Sequence, residues 1–142
     1  MKLISHRGNL IGKEIELENS PQFIEKALSF NFDVECDLWY LDNKFFLGHD
    51  KAQYSIDFSW LNKNKDKLWI HCKNLQCVSI LNESNLNYFW HENDKVTITS
   101  KKIPWCKENV FIKHGVTVVF KKQEVPNYIF GVCSDEIKFF MQ

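Results

Sequence analysis

Phe32-Asp33-Val34-Glu35-Cys36-Asp37-Leu38-Trp39 is the stretch on which the reading of this chain turns. It is rich in β-branched and aromatic residues, which marks a strand over residues 32–39. Side chains two apart on a strand share a face, so Glu35 and Asp37 stand side by side. Two carboxylates held together need a cation or a shared proton between them. Asp33, at the head of the strand, reads as a turn or surface carboxylate.

Similar runs recur at Lys2–His6, Lys44–Leu47, Leu68–His71, Tyr88–His91, Lys95–Thr99, Val110–Lys113, Val116–Phe120 and Tyr128–Cys133. Several are continuously apolar rather than alternating, which suits buried parallel strands. Helices are expected over Pro21–Phe30, Phe58–Asn62, Leu75–Leu81 and Asp135–Met141. Asn19-Ser20 supplies a cap ahead of a proline at the first helical position, and Asp135 would cap the last helix. Phe23, Ala27 and Phe30 form one apolar face of the first. Strand and helix alternate early and then give way to closely spaced strands. The pattern predicts a single α/β domain over residues 1–142, a small, trimmed TIM-type (β/α) barrel with several outer helices missing.

Composition narrows the function. The chain has 142 residues, 44% of them hydrophobic and 15% aromatic, enough for a folded core. Its 18 basic and 18 acidic residues cancel, which removes the electrostatic footprint of a general nucleic-acid binder. No apolar run approaches the roughly 18 residues a membrane span needs. The N-terminus turns polar too soon for a secretory signal, so a cytoplasmic location is expected. The five cysteines show no framework spacing, and no second pair mirrors Cys72 and Cys77; reduced thiols are expected rather than a zinc knuckle.

The polar residues gather at the ends of the expected strands. His6 ends the first, Glu35 and Asp37 lie on the second, and His49 follows Gly48. His71 and Lys73 share a face at the end of another; His91 and Asp135 tip two more. In a parallel barrel such ends converge on one mouth, where these folds place their sites. Arg7 is the one arginine among 18 strong bases. A planar guanidinium grips phosphate with a geometry that lysine cannot copy.

His6-Arg7-Gly8, Glu18-Asn19-Ser20, Glu35-Cys36-Asp37 and Gly48-His49-Asp50 resemble, in this order, the signature of the glycerophosphodiester phosphodiesterase family within the PLC-like phosphodiesterase superfamily. The likeness is dense over residues 1–50, fainter through Leu68–Lys73, and present again at Gly131–Asp135. It implies that His6 and His49 are the catalytic acid–base pair. It further implies that Glu35 and Asp37 ligate a divalent cation (Mg²⁺, Mn²⁺ or Ca²⁺), and that Arg7 and Lys73 bind the phosphate of a small phosphodiester substrate. Two histidines can activate a nucleophile and protonate a leaving oxygen near neutral pH, and a hard cation stabilises phosphoryl charge.

The chain departs from the family in two places. His71 stands where the family carries a third acidic ligand. Imidazole there moves preference from Mg²⁺ and Ca²⁺ towards Mn²⁺, Zn²⁺ or another transition ion; alternatively His71 is no ligand and water completes the shell. The chain is also far shorter than the roughly 250 residues usual for such barrels. A short, open cleft is therefore expected. So is apolar outer surface that a second copy of the chain could cover, giving a homo-oligomer. The leading expectation is a metal-dependent phosphodiesterase in which the nucleophile is water, or a substrate hydroxyl that yields a cyclic phosphate. The alternatives are a phosphate-binding module without turnover and a purely structural remnant.

Overall fold

The computed structural model describes residues 1–141. Ten strands form one mixed sheet: β1 (Lys2–His6), β2 (Asp33–Leu41), β3 (Lys44–Leu47), β4 (Tyr54–Ile56), β5 (Leu68–Cys72), β6 (Tyr88–Phe89), β7 (Val96–Ile98), β8 (Pro104–Cys106), β9 (Val116–Val118) and β10 (Gly131–Ser134). The α-helices are α1 (Pro21–Ser29), α2 (Phe58–Lys63) and α3 (Leu75–Leu81), and a 3₁₀ turn spans Ile137–Phe140. Among the described residues no helix is long and apolar enough to cross a membrane.

Strand β2 organises the sheet. Its first half pairs in parallel with β1 on one side, where His6 faces Glu35, and with β5 on the other, where Asp37 faces His71. Its second half pairs antiparallel with β3 through a hairpin turned at Asp42 and Asn43, whose φ angles are 50° and 61°. Such left-handed pairs match the twist of a two-residue hairpin. From β1 the parallel run continues through β10 and β9 to β8, and β7 closes that edge antiparallel.

One face of the sheet carries Ile4, Trp69, Phe89, Trp105, Val116, Val118 and Cys133 as an apolar cluster. The Phe89 and Trp105 rings stack 4.5 Å apart, although β6 and β8 do not pair. The other face packs Val34, Cys36, Leu38, Ile70 and Cys72 against Ile24 and Ala27 of α1 and Cys77 and Leu81 of α3. Fully burying one such aliphatic chain contributes about 1.5–3 kcal/mol, so the short helices are held by packing rather than by propensity. Ser20 caps α1 by accepting from the Phe23 amide at 3.3 Å, and Asn74 caps α3 by accepting from the Cys77 amide at 3.1 Å.

The expectation of a trimmed TIM-type (β/α) barrel is overturned. The molecule is a mostly-sheet half-barrel of mixed strands with three short helices among the described residues, and helices do not alternate with strands. The reason lies in the connections. A crossover containing a helix needs at least about 10–12 residues. Segments 90–95, 99–103 and 107–115 are too short, and Pro126 interrupts 119–130. Loop replaces helix there: the expected strand at Val110–Lys113 is irregular, and the Thr117 hydroxyl donates to the Val110 carbonyl at 2.8 Å.

Smaller corrections have local causes. Strands β4 and β8 escaped the pattern because each has three residues, and β8 opens on a proline, tolerated at a strand's first position. Asp33 is buried, not at the surface: it accepts from the Trp69 indole at 3.0 Å and the Lys2 ammonium at 3.2 Å. Asp135 caps no helix, since its carboxylate is held by His6 and Asn9. All five cysteines are buried and free, as the absence of framework spacing led one to expect.

Candidate functional site

The backbone bends sharply where β1 ends. Arg7 has φ 56° and Gly8 φ 95°, and a Cβ on Gly8 would lie 2.5 Å from the Phe23 ring of α1. An arginine in the left-handed region costs on the order of 1 kcal/mol or more, and such residues gather at functional sites. Two bonds impose the bend: the Arg7 amide donates to the Glu35 carbonyl at 2.9 Å, and the Asn19 amide to the Arg7 carbonyl at 3.0 Å. The guanidinium is thereby turned back over the end of β2.

Glu35, Asp37 and His71 bring three ligand-type atoms within 4.8 Å of one another, a group that can hold a metal ion. Register explains the grouping, because Asp37 and His71 are direct partners on parallel strands and Glu35 precedes Asp37 by one pleat. Glu35 Oε2 and Asp37 Oδ1 are buried without a hydrogen bond of good geometry. Buried carboxylate oxygens are rarely left so, and a cation is one of the few partners that satisfies both. His71 Nδ1 lies 3.1 Å from Asp37 Oδ1, while its Nε2 is 2.9 Å from the His91 carbonyl.

The two carboxyl groups are pushed in opposite directions. Burial, reinforced by the Asp37 charge, raises the Glu35 pKa above the usual carboxylate value. Burial acts on Asp37 too, but His71, the Arg7 charge and Asn19 outweigh it and hold Asp37 well below that range. The Asn19 amide nitrogen donates to Asp37 Oδ2 at 2.9 Å, and its oxygen accepts from the Asp37 backbone amide at 2.9 Å. Asp37 is therefore a fixed anion, and Glu35 is the group with an unmet charge.

His6 sits beside this cluster. Its Nδ1 is 2.7 Å from Asp135 Oδ1, and its Nε2 is 3.8 Å from Glu35 Oε2. Burial would lower the imidazole pKa, but the Asp135 hydrogen bond and the Glu35 charge overcome it and raise the net value. Asn9, fully buried, donates to both Asp135 Oδ1 and Glu18 Oε1 at 2.8 Å. Glu18 in turn accepts from Arg7 Nη1 at 3.2 Å, and Arg7 Nε lies 3.0 Å from Asp37 Oδ2, off hydrogen-bond geometry. Glu18 and Asp37 thus fix the guanidinium plane, and Nη2 has no protein acceptor among the described residues. Lys73 Nζ reaches to 3.9 Å from Asp37 Oδ1.

His49 is placed differently. Because β3 runs back along β2, the residue after it returns to the cluster: the Gly48 amide donates to the Asp37 carbonyl at 3.1 Å. The Trp39 indole donates to the Gly48 carbonyl at 2.7 Å and anchors the turn. Gly48 has φ 150°, and a Cβ there would stand 2.0 Å from the Lys51 carbonyl oxygen, so glycine is required. The His49 side chain is 41% exposed, with Nδ1 2.7 Å from Asp50. Partial burial and the Arg7 charge lower its pKa, Asp37 opposing them. His49 and Arg7 line an open cleft of about 410 Å³ together with Lys13, Glu18, Asn19 and Asp50.

Six of the seven expected site residues, Arg7, Glu35, Asp37, His71, Lys73 and His6, meet in one network of side chains, and His49 lines the cleft above Arg7. Sequence reasoning missed the contacts that hold them: Asn9, the carboxylate of Asp135 as the partner of His6, and Asn19 as the partner of Asp37. The signals for Asp135 were its position at the end of a strand and the resemblance at Gly131–Asp135. His91 contributes its backbone carbonyl to His71, and its own Nδ1 is 2.7 Å from Asp94. No protein-family model matches the chain, and no curated protein or solved structure matches it either.

Proposed function

We propose that the chain is a metal-dependent phosphodiesterase that hydrolyses a small glycerophosphodiester-like phosphodiester, the activity its motifs resemble, by acid–base catalysis with His6 and His49. One observation carries the reading: two buried carboxylate oxygens without hydrogen bonds, Glu35 Oε2 and Asp37 Oδ1, stand with His71 Nδ1 next to an imidazole oriented by Asp135. A divalent cation held by Glu35, Asp37 and His71 would withdraw charge from the phosphoryl oxygens.

The chain's own residues divide the remaining work. The lowered pKa of His49 keeps it unprotonated near neutrality, which suits the general base. The raised pKa of His6 favours its protonated form, which suits the general acid. Pairs whose environments push their pKa values apart identify acid and base in this way. Asp135 holds the His6 proton at Nδ1 and leaves Nε2 towards the cluster. Arg7 and Lys73, already gathered around Asp37, would orient the phosphate. His49 would take a proton from water, or from a substrate hydroxyl if the product is a cyclic phosphate.

A second reading, a phosphate-binding module without turnover, draws on the exposure of His49 and of its partner Asp50, 92% exposed, which leaves the base loosely held. Turnover of bis(4-nitrophenyl) phosphate and of a glycerophosphodiester, followed by phosphorus NMR, separates the two. The expected result is hydrolysis that stops on exhaustive chelation and returns with Mn²⁺ or Mg²⁺. No turnover with any divalent ion, together with calorimetric binding of inorganic phosphate, would establish the second reading instead.

A further inference from the structure

We propose that this site selects a first-row transition ion, in the range Mn²⁺ to Zn²⁺, over Mg²⁺ and Ca²⁺, and that His71 Nδ1 is the selecting ligand. The inference rests on the metal-site half of the function proposed above and adds the class of ion. Three observations support it. The first is the tautomer. His71 Nε2 lies 2.9 Å from the His91 carbonyl, an acceptor only, so Nε2 carries a proton and the neutral ring presents its Nδ1 lone pair to a ligand. A backbone carbonyl on the far nitrogen is one of the partners that fix a ligating histidine.

The second is the direction of that lone pair. Nδ1 lies 3.1 Å from Asp37 Oδ1 but off the line of a hydrogen bond to it, as expected of two atoms that converge on a third point. Two such atoms repel unless positive charge lies between them, a proton in the free protein or a cation that replaces it. Adjacent ligands of an ion with bonds of roughly 2.1 Å are separated by about 3 Å; the longer bonds of Ca²⁺ would spread them by several tenths of an ångström more.

The third is the donor count. Asp37 Oδ2 is engaged by Asn19, so Asp37 offers one oxygen. The protein supplies one imidazole nitrogen and a small number of carboxylate oxygens. Ca²⁺ seeks 6–8 oxygens and Mg²⁺ an all-oxygen octahedron, whereas imidazole suits transition ions. The cations of Arg7 and Lys73 also sit against Asp37, which weakens purely electrostatic capture of a hard ion.

Binding is read without turnover. Calorimetric titration of the full chain with Mn²⁺, Co²⁺, Zn²⁺, Mg²⁺ and Ca²⁺ should show the transition ions binding more tightly by about tenfold or more. In wild-type protein labelled with ¹⁵N-histidine, Co²⁺ should shift or broaden the His71 Nδ1 signal and leave Nε2 protonated. His71→Glu should lose Co²⁺ affinity by about 100-fold and narrow the preference over Mg²⁺. Equal affinity for Mg²⁺ or Ca²⁺, or Co²⁺ effects that bypass His71 in the wild-type spectrum, would overturn the proposal even if His71→Glu does not fold. Absence of phosphodiester cleavage would overturn the catalytic reading alone, so the two failures are distinguishable.

Discussion

Strand β2 places three carboxylates on one face, Asp33, Glu35 and Asp37, and they meet different fates. At the head of the strand Asp33 receives the Trp69 indole and the Lys2 ammonium, and both of its oxygens have partners. One and two pleats on, Glu35 Oε2 and Asp37 Oδ1 accept no hydrogen bond of good geometry, though both residues are more deeply buried than Asp33. The same kind of side chain on the same face is a structural brace at one end and part of a group that could hold a metal ion at the other. Unsatisfied buried oxygens are costly, so their concentration at one end marks that end as built for something other than stability.

The largest expected effect breaks or confirms the function of that end. His6→Ala and His49→Ala should each lower turnover by about 10²- to 10⁴-fold with unchanged circular dichroism. Near-wild-type rates for either variant would show that the acid–base pair is misassigned. Arg7→Lys comes next. It keeps the charge but loses the planar contacts to Glu18 and Asp37, and should weaken phosphate binding or transition-state stabilisation by about 1.5–3 kcal/mol. Unchanged kinetics would make the lone arginine an accident of composition.

The contrast itself is tested through stability. Asp33→Ala strands the buried Trp69 indole and should cost about 1–3 kcal/mol in urea unfolding, without altering the metal requirement. Glu35→Gln, measured in chelator, should be neutral or stabilising, because it removes a buried charge that stands beside Asp37. If the two variants destabilise alike, the ends of β2 do not differ in the way described.

The smallest effect is in pH. Histidine NMR titrations should place His6 above the ordinary value of about 6.5 and His49 below it. A raised folded-state value means that His6 binds its proton more tightly when folded. Its contribution to stability is then fully present below about pH 6.5 and fades as pH rises through the higher folded value. His49 acts in the opposite sense, with a contribution lost as pH falls, and its exposure keeps that effect small. Reversed order in the titrations would exchange the acid and base roles.

Periodicity and residue type, both local properties, were enough for much of this molecule. The period of two along β2 gave the shared face of Glu35 and Asp37, and β1, β3 and α3 fall where composition puts them. Strand ends tipped with His6, His71 and Lys73 could be listed without coordinates, because alternation fixes which side chains share a face. The architecture could not. Whether strands are joined by helices depends on how many residues each connection has and on what covers the sheet, and segment 107–115, where a strand was expected at Val110–Lys113, is a loop tied to β9 through Thr117. The partners of the site residues also lay beyond sequence. Asp135 meets His6 across 129 positions and Asn19 meets Asp37 across 18, distances closed only by the pairing of β1 with β10 and β2. Chain order says which groups are available; the register of the sheet decides which carboxylate finds a donor and which does not.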